Sequence, residues 1–134
     1  MAETTLVDEI RAVLEKVRGE RGSFTLAMLY NSFENGEIGW NLIVSAPWSD
    51  GLPTADAVRF WAETLQAGLS QVNKKLISRV TVLPSEDGFV QAMNRAFELG
   101  SPGSTVQISN SVFFGINIPR GVLFYSHREV PAHR

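Results

Sequence analysis

Trp48, Ser49 and Asp50 place an aromatic ring, a hydroxyl and a carboxylate in consecutive positions, within the bend Ser45-Ala46-Pro47-Trp48-Ser49-Asp50-Gly51. An apolar run, Ile38 to Ala46, leads into the bend. These groups therefore sit at the carboxyl end of a predicted strand, where α/β folds often bind ligands. His127 is the one histidine inside a predicted element, and so the one side chain whose ordinary pKa suits a general base at neutral pH. On residue types alone, Ser45 or Ser49 can be grouped with His127 and Asp50. Neither serine lies in a Gly-x-Ser-x-Gly elbow, and no spacing fixes a triad geometry, so no catalytic residue is assigned. Asn117, in the stretch 110–120 that precedes the last predicted strand, and Trp40, toward the turn end of a predicted hairpin, complete the candidates for binding a ligand or partner. Turn chemistry offers a plainer account of the bend: Pro47 ends a strand, Asp50-Gly51 turns the chain, and Trp48 caps a core.

Other chemistries have less support. Asp50 and Asp56 flank Gly51-Leu52-Pro53-Thr54-Ala55, which is not the D-x-D-x-D-G spacing of a calcium loop, and Asp56 fits a helix-start acid favoured by the dipole. The glycines match neither a dinucleotide nor a Walker loop. No metal and no cofactor is expected. The chain has no cysteine, which excludes disulfides, a thiolate nucleophile and cysteine-ligated metal sites. With 12 Lys plus Arg against 14 Asp plus Glu, the net charge of -2 offers no basic field for a phosphate backbone, so nucleic acid is not the expected partner. Lys74 and Lys75 are accounted for as a basic helix end. The longest apolar runs fall well short of the ~20 residues of a membrane helix. Met1-Ala2-Glu3-Thr4-Thr5 lacks the charged and apolar regions of a secretory signal. A cytoplasmic protein without membrane contact is expected.

The elements that must position these residues follow from periodicity. Thr4 to Arg18 carries Leu6, Val7, Ile10, Val13, Leu14 and Val17 on one helical stripe, with Thr5 as N-cap and Gly19 as the stop. Ser23–Ser32 and Ile38–Ala46 bracket an Asn35-Gly36 pair, a hairpin signal that sets the register Phe33 to Ile38, Asn31 to Trp40, Leu29 to Leu42 and Ala27 to Val44. The opposite side of this hairpin carries Phe24, Leu26, Met28, Tyr30 and Ile43. Both faces are apolar, so each needs a cover. A long helix is predicted from Thr54 or Asp56 to about Lys75, with Val58, Trp61, Leu65, Leu69 and Val72 inward. A short strand over Ile77–Leu83 and a helix over Glu86–Leu99 follow. The last strands are Thr105–Ser109 and Gly121–His127, with 110–120 either a further strand or a packed loop.

At 134 residues the chain fits one domain that buries roughly two thirds of its unfolded surface, with 128–134 as a frayed end. The fold class is α+β: a two-layer sandwich with a mixed sheet of about five strands in the order α-β-β-α-β-α-β-β. The two later helices are expected on one face and the N-terminal helix on the other, each crossover being right-handed. One short helix leaves part of the hairpin bare. The expected function is therefore a non-catalytic interaction or accessory protein, acting as a homodimer or with another protein. The alternative is a small-molecule-binding protein or minor hydrolase using the Trp48–Asp50 loop.

Overall fold

The computed structural model describes residues 2–34, 37–97, 105–113 and 115–127. Its elements run α1 (Ala2–Arg21), β1 (Leu26–Glu34), β2 (Glu37–Ser45), α2 (Pro47–Asp50), α3 (Thr54–Gly68), α4 (Gln71–Lys74), β3 (Ile77–Val82), α5 (Gly88–Ala96), β4 (Val106–Phe113) and β5 (Ile116–Ser126). The fold is α+β, with a mixed five-stranded sheet in the order β3-β2-β1-β5-β4. Only β2 and β3 pair in parallel; the other neighbours are antiparallel. Among the described residues no helix is long and apolar enough to cross a membrane. The Asn35-Gly36 pair, the loop 100–104 and the end 128–134 lie outside the described residues.

The hairpin register is the one its sequence sets: Phe33 pairs with Ile38, Asn31 with Trp40, Leu29 with Leu42 and Ala27 with Val44. Each face has its own core. On one side Ala27, Leu29, Trp40, Leu42 and Val44 pack with Leu6, Ile10, Leu14 and Val17 of α1 and with Trp61 and Leu65 of α3. On the other, Leu26, Met28 and Ile43 pack with Phe89, Val90 and Met93 of α5. This corrects the expected distribution of helices. α1 shares a face with α3, while α5 is, among the described helices, the one that covers the reverse, so the two later helices lie on opposite faces. A stripe of apolar residues says that a helix must be buried, but not on which side of a two-faced sheet. Phe24, expected beside Leu26, belongs instead to the α1–α3 core, because the chain bends before β1 begins. β4 lies at the sheet edge opposite β3 and runs antiparallel to it, so the handedness rule for parallel crossovers does not govern that connection.

Several boundaries differ for local reasons. α1 continues through Gly19 to Arg21 and is closed by Gly22, whose φ of 124° is a backbone that side-chain-bearing residues rarely adopt and whose N–H donates to the Arg18 carbonyl at 3.0 Å. The single long helix expected after the bend is two helices. Gly68 lies against α1, where an added Cβ would stand 2.6 Å from Val13 Cγ2. Leu69 then turns extended (φ -107°, ψ 147°) into the core, and the Ser70 hydroxyl caps α4 by accepting from the Asn73 N–H at 3.4 Å. Val58 in α3 and Val72 in α4, both expected inward, are exposed at 37% and 64%. Residues 110–120 are neither a separate strand nor a packed loop. β4 and β5 extend through them as one hairpin, with Val112 opposite Asn117 and Ser111 opposite Ile118.

A bulge in β5 sets the composition of the cores. Ala27 pairs with Tyr125 and Met28 with Leu123, which leaves Phe124 as the extra residue. Phe124 and Tyr125 consequently both enter the α1–α3 core, while Leu123 faces α5. Ser126 is wholly buried on the α5 side. Its hydroxyl donates to the Phe97 carbonyl at 3.0 Å and accepts from Asn94 Nδ2 at 2.9 Å; the same amide donates to the Thr25 carbonyl at 3.1 Å. These bonds tie α5 to the ends of β1 and β5. Asn94→Ala leaves these buried acceptors without the amide and is expected to lower unfolding free energy by about 1–3 kcal/mol, read by urea denaturation.

A second tie joins α1 to α4. The Ser70 N–H donates to Glu9 Oε1 at 2.8 Å. That backbone bond, and the Asn73 amide beside it, hold the Glu9 carboxyl below its ordinary value. A carboxyl depressed by folding stabilises the fold above its unfolded-state pKa, and the gain disappears as pH falls through the folded value. Wild type is therefore expected to exceed Glu9→Gln in thermal stability at neutral pH, with the difference closing as the solution is acidified below the ordinary glutamate range.

Candidate functional site

The bend after β2 is a single helical turn rather than an open loop. Pro47 occupies its first turn, and the N–H groups of Ser49 and Asp50 reach the Ala46 carbonyl at 3.0 and 3.2 Å. The Ser49 hydroxyl is buried and donates to that same carbonyl at 3.0 Å. Asp50 Oδ1 accepts from the Ser85 N–H at 3.0 Å, while the Ser85 hydroxyl lies 3.0 Å from that of Thr25. Asp50 therefore fastens α2 to the segment that leads into α5. Ser49 and Asp50 line a recess of about 140 Å³ with Leu52, Thr54, Ala57 and the end of β3. Ser45 is wholly buried in the sheet.

Trp48 is half-buried and sits in an aromatic cluster. Its ring centroid lies 6.4 Å from Phe24, 5.6 Å from Phe60 and 6.4 Å from Trp61. Arg21, in the last turn of α1, lies over this cluster, with Cζ 4.7 Å from the Phe60 centroid and 5.8 Å from that of Trp48. Phe24 continues the cluster to Tyr125 at 5.2 Å. Beyond Tyr125 lies a separate recess of about 250 Å³, lined by Arg18, Ser23, Phe24, Tyr125 and His127. Trp40 is a core residue of the α1–α3 layer. Asn117 stands in β5 opposite Val112, and its side chain lies outside what the structure describes.

The six candidates are thus distributed over five places: Trp48 in the aromatic cluster, His127 in the recess with Arg18, Ser49 and Asp50 at the β3 end, Trp40 in the core, and Asn117 in the β4–β5 hairpin. Ser49 and Asp50 line a different recess from His127, and their side chains bond to backbone at Ala46 and Ser85. Among the described residues no three carboxylate or imidazole side chains gather as a metal site. Arg18, Phe24 and Tyr125, which join His127 in its recess, were not singled out by sequence reading. They come from the end of α1, the α1–β1 connection and the bulged end of β5. A usable signal was Arg18-x-x-Arg21, two cations in one last helical turn.

Comparison with protein families, with curated proteins and with solved structures returned no match.

A third surface borders β3, a sheet edge bonded only to β2 among the described residues. Beside it runs an apolar groove of about 250 Å³, with Val58, Leu65, Leu69, Ile77 and Val80 in its lining and Lys74 and Arg79 at its rim. Among the described residues, three of the four exposed large apolar side chains, Leu52, Val58 and Val72, belong to the connection between β2 and β3.

Asp50 acts here as a fastener of backbone. Asp50→Ala is expected to lower unfolding free energy by about 0.5–1.5 kcal/mol, with amide exchange at Ser85 accelerated, as measured by hydrogen exchange under native conditions.

Proposed function

We propose that this domain works by protein association, without chemistry of its own, and that it receives an extended segment of a partner along the open edge of β3. The observation that carries the reading is the concentration of exposed apolar side chains on the β2–β3 connection, beside an edge strand and an apolar groove. An incoming strand lies along the outer edge of β3, with alternate side chains entering the groove between α3 and β3. Lys74 and Lys75 close α4 just before β3, so the segment of best fit alternates apolar and acidic residues.

A second copy of the chain is the competing occupant. The case for a homodimer began with the two-sided apolar hairpin, and the chain's own helices pack on both of those faces. Self-pairing through β3 would present the same patch to itself, bringing basic groups toward basic groups. A different protein with an acidic, extended segment fits better.

A capped heptapeptide of alternating valine and glutamate tests this, titrated into labelled protein and followed by amide resonances. Saturable shifts at β3 and at Val58 are expected. Val58→Asp should remove them, and the valine-lysine peptide should not produce them. Sedimentation at micromolar concentration is expected to show a monomer. Absence of saturation with either peptide, or shifts indifferent to Val58→Asp, would refute the reading. A dimer abolished by Val58→Asp would give the edge to a second copy.

A further inference from the structure

We infer that β4 is a contact between two copies of this chain, pairing antiparallel with its own counterpart about a two-fold axis at Asn110, so that two five-stranded sheets join into one. This contact is separate from β3 and independent of what occupies that edge. β4 is the second edge of the sheet, bonded only to β5 among the described residues. The first edge is guarded by charge, since β3 contains Arg79 and follows Lys74 and Lys75. β4 has no such guard. From Ser101 to Pro119 the sequence holds no Asp, Glu, Lys or Arg, and Val106–Phe113 contains no proline. Its pairing with β5 keeps one register throughout, with no bulge to twist the edge away. Charge, proline and bulges are the means by which edge strands are kept from pairing with another chain, and β4 uses none of them.

The residues of β4 are also complementary to themselves. About Asn110 the sequence reads nearly the same in both directions, Ser109 mirroring Ser111 and Ile108 mirroring Val112. In an antiparallel pair built on a two-fold axis, each residue meets the mirror position of the other copy. Serine therefore lies opposite serine, and a β-branched side chain opposite another, which are favourable cross-strand pairs. No like charges are brought together, because neither strand carries any.

The pairing accounts for Val112. At 67% exposure it is the most exposed large apolar side chain among the described residues, and the one that lies outside the β2–β3 connection. Strand alternation puts it on the face of Ile108, which is 5% exposed in the layer beneath α5. Val112 opposite the second copy's Ile108 extends that layer across the axis, and the symmetric contact does the same. Both β4 edges are then used and both outer edges are β3, so association closes at two copies. A single pair of eight-residue strands falls short of the roughly 800 Å² per partner of a standard interface. The dimer is accordingly weak, with a dissociation constant on the order of 0.1 mM, and the chain is a monomer at a few micromolar.

Sedimentation equilibrium of the full chain, from micromolar to millimolar concentration, is expected to show monomer giving way to dimer and no larger species. Val112→Lys, at an exposed position that leaves both cores intact, should weaken the dimer about tenfold or more without lowering the thermal midpoint of the monomer. Because the chain has no cysteine, single-cysteine variants report the axis. Asn110→Cys places two thiols opposite each other and should oxidise to a covalent dimer near millimolar concentration. Gln107→Cys places them about 20 Å apart along the paired strands and should not. The inference fails if the chain stays monomeric at millimolar concentration, if Val112→Lys associates as well as wild type, or if Asn110→Cys cross-links no faster than Gln107→Cys. Association lost in Val58→Asp but kept in Val112→Lys would move the contact to β3 and overturn it.

Discussion

A hairpin that is apolar on both faces cannot leave either face in water, and that constraint governs the rest of this fold. β1 and β2 present Leu29, Leu42 and Val44 to one side and Leu26, Met28 and Ile43 to the other, and every one of these is at most 3% exposed. Burying a side chain of this kind contributes about 1.5–3 kcal/mol, so baring the three on one face would forfeit an amount comparable to a typical domain's net stability. The chain meets the requirement with its own helices. α1 and α3 pack side by side on one face, close enough at Gly68 and Val13 that a methyl group would not fit between them. α5 crosses the other face while the chain passes from the edge at β3 to the edge at β4.

The two cores compete for the residues of β5, and the bulge at Phe124 decides the outcome. Strict alternation would place Phe124 and Tyr125 on opposite faces. One of these large rings would then crowd the layer beneath α5, a helix of nine residues. With the extra residue, both rings join the larger α1–α3 core, and the small Ser126 is left under α5, where its hydroxyl can meet Asn94 and the end of the helix. The polar contacts of α5 thus follow from where the aromatic bulk was placed. Tyr125 is delivered at the same time to the wall of the recess that holds Arg18 and His127.

Much of the fold was legible because it depends on local spacing. Two residues between two apolar runs fixed the hairpin register, and the helical stripes of α1 and α5 followed from three-and-four periodicity. What was illegible depends on contacts between distant segments. No stripe says which side of a two-faced sheet a helix will cover, and the break at Leu69–Ser70 arises partly because Gly68 must approach Val13, more than fifty positions earlier. The bend at Trp48–Asp50 was legible as turn chemistry, and that reading agrees with the bonds of Ser49 and Asp50 to neighbouring backbone. The recess of Arg18, Phe24, Tyr125 and His127 was not legible. Arg18 satisfies the helix dipole, Phe24 and Tyr125 satisfy the core, and only their convergence through the bulge and the Gly22 turn gives them a common surface.

Trp48 still earns its place at the centre, for a different reason from its apparent chemistry. Its ring touches the phenylalanines and the tryptophan that close the α1–α3 core, and it carries Arg21 on its outer side. Phe24 packs against Trp48 on one side and forms the floor of the Arg18–His127 recess on the other. Asp50 fastens α2 to the segment leading into α5 through the Ser85 N–H, so its carboxylate serves the packing of these elements. The loop that first invited a catalytic reading is, in these terms, a brace between packed elements.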